Sequence, residues 1–169
     1  MIISAFYEAI MARLSTLPEI KHFDYYMGQY DSEEEKELPF MCPAVLFEYQ
    51  PIDFVPVGRK RRLAPTTFFL HVVSNVIQEV RKSETPAIRN KAHEHLLLID
   101  KISEKLIGFN NPQYFGSIQS IGMQPYQAAI GTAITHVLPF KTLMIDVAAE
   151  KQFEAPPTPP GLDLTENFD

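Results

Sequence analysis

The sequence predicts an α+β fold: a small, mostly antiparallel sheet that contains a long hairpin, with two main helices packed on it. Two segments repeat their apolar residues every three or four positions, and three repeat them every second position. These are the periods of a one-sided helix and of a pleated strand. A glycine followed by four basic residues separates the first two alternating segments and marks the turn of the hairpin.

From Ile3, apolar residues recur at Phe6, Ile10, Leu14 and Leu17, which gives one face of a helix ending near Pro18 and suited to covering a sheet. Phe23, Tyr25 and Tyr26 ahead of Gly28 suit a short strand. Residues 31–37 are an almost unbroken acidic run, whose mutual repulsion and lack of apolar side chains predict a solvated loop. Over 44–50, Val45, Phe47 and Tyr49 alternate with Glu48 and Gln50, and Pro43 fits the start of that strand. Over 66–74, Phe68, Leu70 and Val72 oppose Phe69, His71 and Val73. Both faces are largely apolar, as in a central strand or in one packed against a neighbouring subunit.

The strongest helix is predicted over 86–108, with Ile88, Ala92, Leu96, Ile99, Ser103 and Leu106 in register. Pro86 suits its first turn, and Gly108 suits a left-handed stop. Asn110, Asn111 and Pro112 make a turn, after which Ile118 and Ile121 predict a strand broken by Gly122 and Pro125. A last extended segment, 133–147, sets Val137, Leu143 and Ile145 against Ile134, Leu138, Phe140 and Met144, and Pro139 is expected to kink it or mark an edge. Residues 1–150 read as one domain. Residues 151–169, with Pro156, Pro157, Pro159 and Pro160 among acidic residues, read as an arm that is disordered alone.

A chain of 169 residues suits a single core, and a hydrophobic share of 46% is enough to offset its ordering entropy. The net charge of −6 argues against nonspecific nucleic-acid binding, which needs an excess of cations to displace phosphate counterions. Cys42 is the single cysteine and makes no internal disulfide. With neither a basic n-region followed by an apolar stretch nor a run of about 20 apolar residues, a soluble cytoplasmic protein without membrane contact is expected.

No catalytic, cofactor or metal residue is predicted. His93 and His95 lie two apart and point in nearly opposite directions on a helix, whereas helical metal pairs are spaced by three or four, so both are expected as solvated surface histidines. His71 and His136 lie in apolar strand patterns and are expected as hydrogen-bonded core or interface residues. Cys42, between Met41 and Pro43, reads as a small buried hydrophobe. The seven glycines are too widely spaced to cradle a phosphate, and no carboxylate pair stands out for acid–base work.

The charge pattern supplies the candidate site instead. Arg59, Lys60, Arg61 and Arg62 form a basic hairpin tip, and Glu33, Glu34, Glu35 and Glu37 lie in the acidic loop. Two solvated loops would read the same way. The functional reading is that the basic tip of one subunit meets the acidic loop of the next, steering association and fixing register. Basic tips converging in a ring would equally present positive charge to DNA passing through.

In order, the helix "FYEAIMARLSTLP", the strand "PAVLFEYQP", the strand "TTFFLHVVSN" after a glycine-and-basic turn, the helix "AHEHLLLIDKISEKLIGF" and the extended "THVLPFKTLMID" span nearly all of residues 1–150. This arrangement resembles the phage tail terminator, or tail-completion, family, including the versions in Mu-like contractile tails. The resemblance implies a subunit with a small sheet and packed helices that assembles into a ring, generally a hexamer. That ring stops polymerisation of the tail tube and joins it to the head. The implied partners are further copies of the chain, the tail tube and head-completion proteins, with no catalysis and no cofactor. The implied location is the bacterial host cytoplasm during assembly, then a virion or phage-like tail particle. The Pro-rich arm is not a hallmark of the family. The alternatives are another head–tail connector or tube-associated protein and, from a different class, a small-molecule-binding regulatory domain.

Overall fold

The structure, a computed structural model, describes residues 2–29, 31, 40–57, 61–75, 86–126 and 133–146, without the side chains of 86–92. Residues 151–169, predicted as an arm, lie outside the described residues. In chain order the elements are α1 (Ile2–Leu14), β1 (His22–Tyr25), β2 (Ala44–Tyr49), β3 (Val55–Val57), β4 (Arg61–Asn75), α2 (Pro86–Leu106), β5 (Gln119–Ser120), β6 (Gln124–Tyr126) and β7 (Ala133–Asp146). The sheet runs β1-β2-β4-β7-β5, with β3 beside β4 and β6 beside β7. β1 is parallel to β2, and the other pairings among these strands are antiparallel. The fold is therefore α+β with a mixed, mostly antiparallel sheet, and β2, β3 and β4 form the long hairpin.

Period-3.6 and period-2 patterns meet in one core. Phe6, Ile10 and Leu14 of α1, with Leu98, Ile99, Ile102 and Leu106 of α2, pack on Val45, Phe47, Phe68, Leu70, Val72, Leu138 and Phe140. The pairs Val45 with Val72 and Leu70 with Leu138 put these strand residues on one face of the sheet. Phe6 sits at the centre, edge-on to Phe68 at 5.2 Å and to Phe115 at 4.8 Å, while Phe68 stacks on Phe47 at 5.3 Å and on Phe140 at 5.4 Å. Such offset and edge-on geometries suit the quadrupoles of the rings. Arg13 ties the helices together, donating from Nε to the Lys105 carbonyl at 3.1 Å and so placing a cation on the C-terminal dipole of α2. Gly108, at φ +80°, ends α2 as expected.

Three expectations change and one open alternative is decided. β4 begins at Arg61 rather than Thr66, so Arg61 and Arg62 are strand residues opposite β3 instead of parts of a loop tip. The double-sided apolar pattern of β4 belongs to a central strand, flanked by β2 and β3 on one side and β7 on the other. On α2, Leu96 is exposed, and the inward stripe runs through His95, Leu98, Ile99, Ile102 and Leu106.

Pro139 does not mark an edge, because β7 pairs with β4 along its whole length, from Ala133 to Asp146. The Pro139 carbonyl accepts from the Ile121 amide at 2.9 Å. In a strand the N and C=O of one residue point to the same side. The nitrogen of Pro139 therefore faces the break between β6, which starts at Gln124 opposite Val137, and β5, which ends at Ser120 opposite Phe140. Pro65 repeats the device. Thr67, two residues on, points its carbonyl at Gln50 (3.2 Å), so the Pro65 nitrogen faces the gap between β2 and β3. Each proline puts its missing donor where the neighbouring ladder is already interrupted.

Candidate functional site: a subunit interface

Fifteen extended residues make β4 span roughly 45 Å at about 3.3 Å per residue. The two charge concentrations of the sequence are attached at its opposite ends.

At the first end, β3 is an edge strand held only to β4 among the described strands. Its register, Val55 opposite Leu63 and Val57 opposite Arg61, turns both valines to the sheet face away from the helices. They are 58% and 51% exposed. Ile121 and Leu143 are also exposed, and Leu143 lies opposite Pro65 on that same face. Of the basic candidates, Arg59 and Lys60 lie outside the described residues. Arg61 is exposed at the strand start, while Arg62 donates to the buried carboxylate of Asp146 (Nε to Oδ2, 3.0 Å) and lies 5.2 Å from the ring centre of Phe54. Arg62 thus clamps the hairpin to the end of β7.

At the other end, Glu33, Glu34, Glu35 and Glu37 lie outside the described residues, but both flanks of their run are fixed. Asp31 accepts hydrogen bonds from the hydroxyls of Tyr26 and, at 3.1 Å, Tyr126. Tyr26 stacks on the buried ring of His71 at 4.1 Å, and His71 Nε2 meets Glu48 Oε2 at 2.7 Å. Burial, then the Asp31 carboxylate, holds the Tyr26 hydroxyl well above its usual range, so it stays a donor. Burial lowers the pKa of His71 despite the opposing pull of Glu48. On the far flank, Phe40 stacks on His22 of β1 at 5.4 Å. Tyr126 lies opposite Thr135, itself opposite Val73, so both anchors belong to the Asn75 end of β4.

A cavity of about 450 Å³ opens at this second end. Cys42, Pro43, Leu97 and Leu98 give it apolar walls, and Glu19 with Lys101, paired at 2.5 Å, lie on its border. On its inner side Ser74 Oγ lies 2.7 Å from His95 Nδ1, and His95 Nε2 lies 2.9 Å from His136 Nδ1. Burial, then the neighbouring His136, pushes the pKa of His95 down to about 4, which leaves the ring neutral at pH 7 and a weak general base for Ser74. The expected solvation of His93 and His95 is thus half right: His93 is exposed, and His95 is buried. His71 and His136 are hydrogen-bonded, as their strand patterns predict. Cys42 is half-buried, with its thiol pushed up to about 11 by burial.

Sequence reasoning gave no role to Tyr126 or Ser74 and did not join Tyr26 to Asp31 or His95 to Ser74 and His136. Apart from the local Tyr26–Asp31 bond, the contacts join elements distant in the chain, and the register of β4 with β7 brings Ser74 near His136.

No family model matches the chain, and no curated protein matches it. Among solved structures it is similar to a chain of one described as "Virion of native gene transfer agent (GTA) particle", at 11% identity and a TM-score of 0.49, over 83% of this chain and 94% of that one.

Proposed function

We propose that this chain is a structural assembly subunit of the tail-terminator type, whose copies join head to tail into a ring that caps a tail tube and connects it to the head. The observation that carries the reading is that the described flanks of the two charge runs lie at opposite ends of one long strand: Val57 and Arg61 at one end, Asp31 and Phe40 at the other. Contacts between unlike surfaces of identical subunits propagate from copy to copy and close into rings when the rotation allows. Exposed Val55, Val57, Ile121 and Leu143 add apolar area of the kind buried in such contacts. The tail-tube role itself follows from the resemblance in the order of elements.

The test is to add the purified chain to a polymerising tail-tube protein and image the products by negative stain. Rings seated at one end of shortened tubes are the expected result. Tubes of unchanged length with bare ends overturn the terminator reading and leave a connector elsewhere in the particle.

A further inference from the structure

We infer that the head-to-tail contact is a hairpin-in-cavity joint, in which Val55 and Val57 of one copy enter the cavity beside Cys42 and Leu97 of a second copy. This deepens the assembly reading above and rests on it.

Geometry forbids the contact within one chain. Val57 lies opposite Arg61, and Cys42 lies two residues before Ala44, whose partner is Val73. From Arg61 to Val73 the strand extends roughly 40 Å at about 3.3 Å per residue, far beyond the roughly 7 Å Cα separation that a disulfide tolerates. The two surfaces are therefore available only to different copies, and each copy offers one of each.

Their chemistry matches. Two β-branched side chains stand more than half exposed on an edge strand, and the cavity presents Cys42, Pro43, Leu97 and Leu98, with Leu97 itself 43% exposed, inside a rim that carries Glu19, Lys21, Glu94 and Lys101. A volume of about 450 Å³ leaves room for two valine side chains.

The charges fall into line with the same contact. The basic run at 59–62 starts two residues after Val57, and the acidic run at 31–37 ends five residues before Cys42. Seating the valines at Cys42 brings Arg61 of one copy toward the end of the sheet where Asp31 and Phe40 flank the acidic run of the next. A symmetric pairing of hairpin with hairpin would instead set one basic run against its own copy, which disfavours a closed two-fold dimer.

Cys42 is the only cysteine of the chain, so the joint is directly testable by cross-linking. The full chain carrying Val57→Cys is assembled, treated with copper–phenanthroline or a short bis-maleimide, and run on a non-reducing gel, with Val55→Cys as a second variant. The expected result is a ladder of covalent multimers, linked between position 57 of one copy and Cys42 of another by peptide mass spectrometry. Adding Cys42→Ser removes the ladder. Val57→Asp, which would bury a charge in the joint, is expected to weaken self-association at least about tenfold. A full-sized oligomer by light scattering without such a ladder from either variant overturns the joint and leaves the assembly reading standing. Dimers linked only through position 57 overturn it in favour of a symmetric contact. A chain that stays monomeric at every concentration overturns the assembly reading, and the joint with it.

Discussion

His95 shows how one buried side chain makes stability depend on pH. Its ring is held between Ser74 and His136, and burial lowers its pKa from the ordinary 6.5 to about 4. Between those values the unfolded chain holds more protons than the folded one, so stability is full above 6.5 and is lost as pH falls toward 4. His71 and His136 are shifted in the same direction, again mainly by burial. The expected loss from His95 at pH 5 is roughly 1 to 2 kcal/mol relative to pH 7.5, read from urea unfolding at the two values. His95→Gln keeps hydrogen-bonding capacity and does not titrate, so it should flatten the fall. An equally steep fall in that variant would place the proton uptake elsewhere. Nothing in the spacing of His93 and His95 announces this burial, because the partners come from β4 and β7 and the run Leu96, Leu97, Leu98, Ile99 lets a helical period be placed on several faces.

Among the elements, the hairpin separates structure from assembly within two adjacent arginines. Arg62 is spent on Asp146, a 6%-exposed carboxylate on β7, whereas Arg61 stands exposed at the strand start. Arg62→Ala should lower stability by about 1 to 2 kcal/mol, allowing for the partial exposure of Arg62, and leave self-association little changed in the folded protein. Arg61→Glu reverses an exposed charge at the strand start and should weaken association by more than Arg62→Ala does. The opposite pairing of effects, measured by urea melts and light scattering, would mean that the wrong arginine has been assigned to the interface. Strands and helices with clean periods were legible: α1 through Phe6, Ile10 and Leu14, β2 through Val45 and Phe47, and β7 through Leu138, Phe140 and Met144. Less legible was whatever depends on a neighbour strand. The parallel partnership of β1 with β2 and the harmless placement of Pro65 and Pro139 opposite ladder breaks are properties of the sheet, and neither has a local sequence signal.

At the scale of the whole molecule, β4 acts as a rod with unlike ends, an exposed valine pair ahead of Arg61 at one, and at the other a cavity and the Asp31 and Phe40 flanks of the acidic run. The charge runs were legible as sequence, but their attachment to opposite ends of the sheet was not, since it depends on Tyr26, Tyr126 and His22 holding the flanks of the acidic segment. Interactions between exposed charges are screened beyond roughly 8 Å at physiological salt, so association through these ends should weaken as salt rises, while the valine contact persists. Light scattering of the purified chain across concentration and ionic strength measures this most directly. The account predicts a discrete mass of several copies that dissociates on dilution, and at lower dilution when salt is high. A single-copy mass at every concentration, indifferent to salt, would contradict it.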